Sequence, residues 1–170
     1  EFCRSNNLPK PLFVVAQTGT RVKEDRNIGS FDSPVRVSNE IPAEILVPKI
    51  LEICKKYGIL MKEHNADYLS DQSLNWHPKL GIPAANVAPE FGVAETIAFI
   101  KTLEENNLNN LCNEFIEISY SSKKWEKWIL KDSKISEKQK AILAGHYVFA
   151  KEEFLLIKEK AKSELSKKMI

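Results

Sequence analysis

The sequence predicts an α/β protein that forms the C-terminal part of a (β/α)8 TIM barrel, with about three parallel strands followed by C-terminal helices. Short apolar runs alternate with amphipathic stretches three times in succession within the first 110 residues. A polar segment follows each apolar run, and beyond residue 110 only helical spacing continues. We therefore expect partial barrel units over residues 1–110 and a helical segment over residues 111–170 that packs on the barrel.

The first unit begins with a strand predicted over Leu12–Ala16, a continuous apolar run of the kind found in strands buried on both faces. The polar stretch 17–40 follows. It is long for a connection, which is typical of a functional loop. A helix is predicted over Pro42–Lys56, because apolar residues recur there at helical spacing, and Gly58 ends it.

The second and third units repeat this pattern. Ile59–Met61 is a short apolar run followed by a weak helix over Asp71–Trp76. Residues 81–87 form the next apolar run, and Val93–Leu103 carries helical spacing. Three such units predict parallel strands whose carboxyl ends meet at one edge, where α/β folds place their chemistry.

The last third of the chain predicts two or three amphipathic helices. Three strands cannot close a barrel, and a complete one needs about 250 residues. We therefore expect the remaining strands either before Glu1 in a longer parent chain or on another polypeptide.

Composition excludes several classes of function. The 170 residues carry 25 Lys and Arg against 23 Asp and Glu, and a formal charge of +2 provides no excess for binding nucleic acid. The apolar runs are far shorter than the roughly 20 residues of a membrane-spanning helix. Three well-separated cysteines without a CxxC pair are typical of a reducing compartment. We expect a cytoplasmic protein that binds neither nucleic acid nor membranes.

The strongest candidate site follows the second strand, in the segment Glu63-His64-Asn65-Ala66-Asp67-Tyr68. Glu63, His64 and Asp67 offer oxygen and nitrogen donors, which suit a divalent metal or proton transfer beside a sugar carbonyl. The metal would be Zn, Mn, Ni or Mg. The alternative is structural: Asp67 or Ser70 caps the next helix, and His64 is a satisfied core residue.

Two other strand ends carry polar residues of the same kind. Hydroxyls, backbone amides and a guanidinium after the first strand can hold a phosphate or sugar hydroxyls, unless they form an ordinary polar turn. After the third strand, a turn near a helix start offers backbone N–H groups to an anion, with capping as the alternative. The predicted substrate-binding residues are Gln17, Thr18, Thr20, Arg21 and Asn86, and the predicted catalytic residues are Glu63, Asp67 and Glu90.

Two further histidines are expected to be structural. His77 follows the weak helix in what reads as a helix-to-strand connection, at the opposite end of the barrel from the site. His146 lies in Gly145-His146-Tyr147, which indicates a bend that packs on the barrel.

Several motifs together resemble the C-terminal half of the class II tagatose-bisphosphate aldolase non-catalytic (Z-type) subunit family. They are the Glu63–Tyr68 segment, Asn86–Pro89 before an Ala/Glu-rich helix, and Trp125–Trp128 leading to Gly145–Tyr147. Their order and spacing extend the resemblance over nearly the whole chain. At Gly19-Thr20-Arg21-Val22 this chain has a guanidinium where the family often has Gly-Thr-Glu-Val, which suggests a more anionic substrate.

The resemblance implies a cytoplasmic TIM-barrel protein of sugar-phosphate metabolism, with the family's His and Asp at His64 and Asp67. Our first hypothesis is a metal-assisted lyase or epimerase that acts on a ketose phosphate or a related acidic sugar. The alternative is a non-catalytic subunit that binds and stabilises a class II aldolase catalytic subunit, with Trp125 and Trp128 in the contact surface. A homo-oligomer and an inactive fragment are further alternatives.

Overall fold

A computed structural model describes residues 2–29, 38–39 and 41–167 of the chain. These residues form a mixed α/β protein with seven α-helices and a small parallel sheet of three strands. Two compact units are distinguished. The first comprises Glu1–Val22 and Arg26–Ala88, and the second comprises Lys23–Asp25 and Pro89–Ile170.

Strands and helices alternate in the first unit, and the second unit is built mainly from helices. They are α1 (Phe2–Ser5), β1 (Phe13–Ala16), β2 (Val22–Lys23), β3 (Arg26–Asn27), α2 (Ala43–Tyr57), β4 (Leu60–Glu63), α3 (Asp71–Leu80), β5 (Ala84–Ala85), α4 (Pro89–Glu105), α5 (Asn109–Ser121), α6 (Glu137–Ala144), a 3-10 helix (Gly145–Val148) and α7 (Glu152–Lys167). None of the helices in the described ranges is both long enough and apolar enough to cross a membrane.

The parallel sheet has the strand order β1-β4-β5, which confirms the predicted direction of the strands. Ala16 lies opposite Glu63, and Glu63 lies opposite Ala85, so the strands end together at one edge. Helix α2 packs against β4 and encloses a small apolar core. Its buried members are Ala16, Val47, Cys54, Met61 and Ile82.

The predicted helix before the second strand is confirmed as α2, and it ends at Gly58 in the left-handed conformation with φ of 60°. Residues 81–87 predict a longer strand than the two residues of β5. Pro83 has no N–H group to donate to a neighbouring strand, which shortens the pairing.

The polar stretch 17–40 contains a hairpin that its sequence pattern does not reveal. Strands β2 and β3 have two residues each, and Glu24 in their turn has a left-handed φ of 57°. Strands this short leave no periodic signal. Residues 30–37 and residue 40 of this stretch lie outside the described residues.

The second unit is helical, as predicted for the last third of the chain, and its core is aromatic. Phe99 and Phe115 meet edge to face with ring centroids 5.1 Å apart, and Phe99 meets Phe154 in the same way at 5.2 Å. Around them the fully buried side chains include Leu103 and Val148. Edge-to-face contacts of this kind add to the stability that burial provides.

Helix α4 lies very close to the 3-10 helix because two glycines leave room for it. A Cβ atom built on Gly145 would lie 2.3 Å from Cγ2 of Thr96, and one on Gly92 would lie 2.4 Å from the ring of His146. Gly145 has an ordinary helical φ of −55°. Glycine is therefore required at position 145 by the lack of room for a side chain, and not by the backbone conformation.

We predict that Gly145→Ala lowers the free energy of unfolding by about 1–3 kcal/mol, because the added methyl group overpacks the contact with Thr96. Urea unfolding measures the change. The same substitution in a Thr96→Ala background should cost less, since the obstructing methyl and hydroxyl are gone. Equal costs in the two backgrounds would show that the close approach does not determine the effect.

Candidate functional site

Polar residues at the carboxyl edge of the sheet are joined through side-chain or backbone hydrogen bonds into one buried group, which we call the strand-end cluster. Each member exposes less than a tenth of its surface. The members come from the loop after β1, the end of β4 with the loop after it, and helix α3. They are Thr18, Thr20, Asn27, Glu63, Asp67, Ser73 and His77.

Glu63 is the central member of the strand-end cluster. It is the last residue of β4 and is 1% exposed. Its Oε1 atom accepts a hydrogen bond from the hydroxyl of Thr18, and its Oε2 atom contacts Nε2 of His77. One carboxylate therefore connects the loop after β1 to helix α3.

His77 is held from both sides of its ring. Its Nδ1 lies 2.7 Å from the backbone carbonyl oxygen of Ser73, which can only accept, so Nδ1 carries a hydrogen. The hydrogen bond to Glu63 raises the pKa of His77, and the bond to Ser73 adds to this against the opposing effect of burial. We infer a protonated His77 that forms a buried ion pair with Glu63.

The prediction that His77 lies in a helix-to-strand connection, at the opposite end from the site, is wrong. Helix α3 continues past Trp76 to Leu80 and includes Pro78, so His77 lies inside the helix. Ser73 and His77 are four residues apart and therefore share the helix face that meets Glu63. The signal that sequence reasoning missed is this spacing, between the cap at Ser70 and the left-handed Gly81.

Asn27 ties the loop after β1 to the loop after β4. Its side-chain amide donates to the carbonyl oxygens of Asn65 at 2.8 Å and Asp67 at 2.9 Å. Its Oδ1 atom accepts from the backbone N–H groups of Arg21 and Gly29. All of the hydrogen-bonding groups of this buried amide are used to hold loop backbone in place.

The loop after β5 is tied to the same cluster. Oδ1 of Asp67 accepts the backbone N–H of Ala88 at 2.9 Å. The backbone of Asn86 donates to the carbonyl of Glu63 and accepts from the N–H of Ala66. The three strand-end loops of the first unit thus form one connected structure.

The loop after β4 combines backbone strain with a histidine nitrogen that is unpartnered among the described residues. Asn65 and Tyr68 both adopt left-handed conformations, with φ of 58° and 56°. Nδ1 of His64 is buried, and within the described part of the chain it has no hydrogen-bond partner. Left-handed non-glycine residues cost free energy and concentrate at functional loops.

The predicted site residues differ in where they lie. Thr18 and Thr20 are buried, and their hydroxyls donate to Glu63 and to the carbonyl of His64. Gln17 is exposed, while Arg21 and Asn86 are partly exposed. Glu90 lies in the first turn of α4, which belongs to the second unit.

The three predicted metal ligands do not form one ligand set. Both carboxylate oxygens of Glu63 are engaged by Thr18 and His77, and Asp67 accepts a backbone hydrogen bond. Within residues 2–29, 38–39 and 41–167, no three His, Cys, Asp or Glu side chains are grouped so as to hold a metal ion. Glu63, His64 and Asp67, held in this way, therefore do not fit the divalent-metal site predicted for them. Ser70 caps α3, as the structural alternative predicts.

The segment Trp125–Trp128 makes its contacts within the second unit. The ammonium of Lys127 lies 4.7 Å from the ring centroids of both Trp128 and Tyr147, and the indole N–H of Trp128 donates to the Tyr147 hydroxyl at 3.1 Å. The backbone carbonyl of Trp128 accepts the N–H of Glu24. Burial, with the nearby charge of Lys127, lowers the pKa of His146.

Comparisons of the chain with models of known protein families, with curated proteins and with solved structures found no match.

We predict that His77→Ala lowers the free energy of unfolding by about 3–5 kcal/mol, because it leaves the buried charge of Glu63 without its partner. Chemical denaturation measures the loss. Asn75→Ala, at an exposed position of the same helix, is the matched control and should change stability by less than about 0.5 kcal/mol. Similar losses in the two variants would contradict the buried ion pair.

The ion pair also predicts a pH dependence of stability. The folded protein holds the His77 proton more tightly than the unfolded chain does, because the folded pKa is raised. The stabilisation is fully present below the unfolded pKa of about 6.5, and it is lost as the pH rises through the raised folded value. Urea unfolding of wild type and His77→Gln across this range should give curves that converge at high pH. A constant difference between them would mean that His77 stays neutral.

Proposed function

We propose that this chain is a non-catalytic subunit in sugar-phosphate metabolism, of the tagatose-bisphosphate aldolase Z-type, that binds and stabilises a class II aldolase catalytic subunit. One observation carries the proposal. Glu63, Asp67 and Thr18, which were expected to act on a substrate, serve instead as donors and acceptors within the strand-end cluster.

A catalytic carboxylate must come within hydrogen-bonding reach of the substrate atom whose proton it moves. Glu63 and Asp67 are each 1% exposed, and both accept hydrogen bonds from within the first unit. The hydroxyls of Thr18 and Thr20 also donate hydrogen bonds within the first unit, to Glu63 and to the carbonyl of His64. This arrangement favours a rigid scaffold over an open catalytic site.

We also propose that the three-stranded sheet is part of a (β/α)8 barrel. The strands are parallel and lie in sequential order with α2 and α3 between them. Phe13, Val15 and Leu60 share one face of the sheet and are 37%, 53% and 42% exposed. Parallel sheets are normally covered on both faces, so this exposed face supports further strands or an assembly partner.

A second candidate is an aldolase or epimerase that acts on a ketose phosphate or a related acidic sugar. The observation that favours it is the loop after β4, where Nδ1 of His64 is buried without a partner among the described residues. Asn65 and Tyr68 are left-handed in the same loop. In this hypothesis His64 contacts the sugar and Arg21 meets its anionic group.

Co-incubation with a purified class II tagatose-bisphosphate aldolase catalytic subunit tests the first proposal. The chain should co-elute with the aldolase and lengthen its half-life on heating several-fold, because a ligand of the folded state slows loss of that state. On its own the chain should not turn over ketose phosphates, with or without added Zn²⁺ or Mn²⁺.

Catalytic turnover would instead support the second candidate, an aldolase or epimerase. Turnover by the chain alone that His64→Ala abolishes without lowering thermal stability would establish an enzyme and refute the non-catalytic role. Wild-type chain that neither co-elutes with the aldolase nor protects it would also refute that role.

A further inference from the structure

Helices α5 and α7 of the second unit pack against each other, and a groove lies along them. Part of it is a cavity of about 220 Å³ with apolar side chains at its base and carboxylates along its edges. Ile118 and Ile157 contribute the apolar base, and Leu156 stands in the groove with 57% of its surface exposed.

The groove extends further along the same two helices. A second cavity of about 530 Å³ shares Glu114 and Lys160 with the first and reaches Asn110 on α5 and Glu164 on α7. The two helices run antiparallel along it. From Glu153 to Glu164 the groove spans twelve residues of α7, or about 16 Å. That length matches roughly three turns of another helix.

The charge around the apolar base is negative. Glu114, Glu117 and Glu153 line the first cavity with one lysine, Lys160, which lies 3.7 Å from Glu114. In the part of the chain that the structure describes, Glu117 and Glu153 form no ion pair. Glu114 and Glu117 are three residues apart on one helix, where like charges repel. This local negative charge belongs to a chain whose net charge is +2.

We propose that the groove between α5 and α7 is a docking site for a basic amphipathic helix of a partner protein. Such a helix would place its apolar side chains over Ile118, Leu156 and Ile157 and its lysines or arginines beside the carboxylates. Complementary charge selects the partner and relieves the repulsion between neighbouring glutamates. The exposed side chain of Leu156 offers apolar surface that such a helix would cover. The proposal does not depend on the function of the strand-end cluster.

A designed 18-residue helical peptide of leucine and lysine, with leucines on one face, is the probe. Its binding to the full chain is measured by fluorescence anisotropy, and its location by ¹H–¹⁵N chemical-shift changes. We expect saturable binding with shifts concentrated on α5 and α7. Glu117→Lys, Glu153→Lys and Leu156→Asp should each weaken binding about tenfold or more. These substitutions lie on the surface, and unchanged thermal stability verifies that each variant folds.

Glu159→Lys is the matched control, since Glu159 is exposed on α7 but does not line the groove. It should leave the affinity within about twofold. Equal weakening by this control, or equal binding of a peptide with the same composition and scrambled order, would show nonspecific charge attraction and overturn the proposal. A wild-type chain that forms a dimer dissociated by Leu156→Asp would also overturn it, because a second copy would then occupy the groove.

Discussion

A carboxylate with almost no exposed surface is costly, and the first unit is organised around one. Removing Glu63 from water carries a penalty of several kcal/mol that only a close counterion and good hydrogen bonds can offset. His77 supplies the charge and Thr18 supplies a hydroxyl. Helix α3 must therefore extend far enough to bring His77 to the end of β4, and the loop after β1 must fold over the same point.

The other members of the strand-end cluster extend this constraint to the loops. Asn27 and Asp67 use their side chains to hold backbone groups of neighbouring loops, so the ends of all three strands are fastened together. Such a network is strong because every buried polar group that finds a partner avoids the cost of losing water. The same commitment removes these side chains from contact with a substrate, which is why we favour a scaffold role over catalysis.

Sequence reasoning predicted the elements whose pattern is local. The apolar run of β1 and the helical spacing of α2 were sufficient to identify both, together with the glycine that ends α2. Helix α3 was predicted too short: it continues through Pro78, which lies in its last turn. The hairpin of β2 and β3 was missed because strands of two residues show no alternation.

In the candidate site, too, local sequence identified the residues but not the distant residues that they contact. Glu63, Asp67 and Thr18 were recognised as polar residues at strand ends, but their partners were not. Thr18 and Glu63 are 45 residues apart, and His77 is 14 residues from Glu63. Only the register of β1 against β4 and the orientation of α3 bring them together. A metal site was therefore predicted where the carboxylate instead holds a histidine.

The buried ion pair between Glu63 and His77 is tested most directly by the protonation state of His77. This state is read from the ¹⁵N chemical shifts of the ring in a histidine-labelled sample at about pH 7. The buried ion pair predicts that both ring nitrogens carry hydrogens at this pH, and that the ring loses a proton only above the ordinary histidine pKa of about 6.5. A neutral ring with one protonated nitrogen, titrating near that ordinary value, would contradict it.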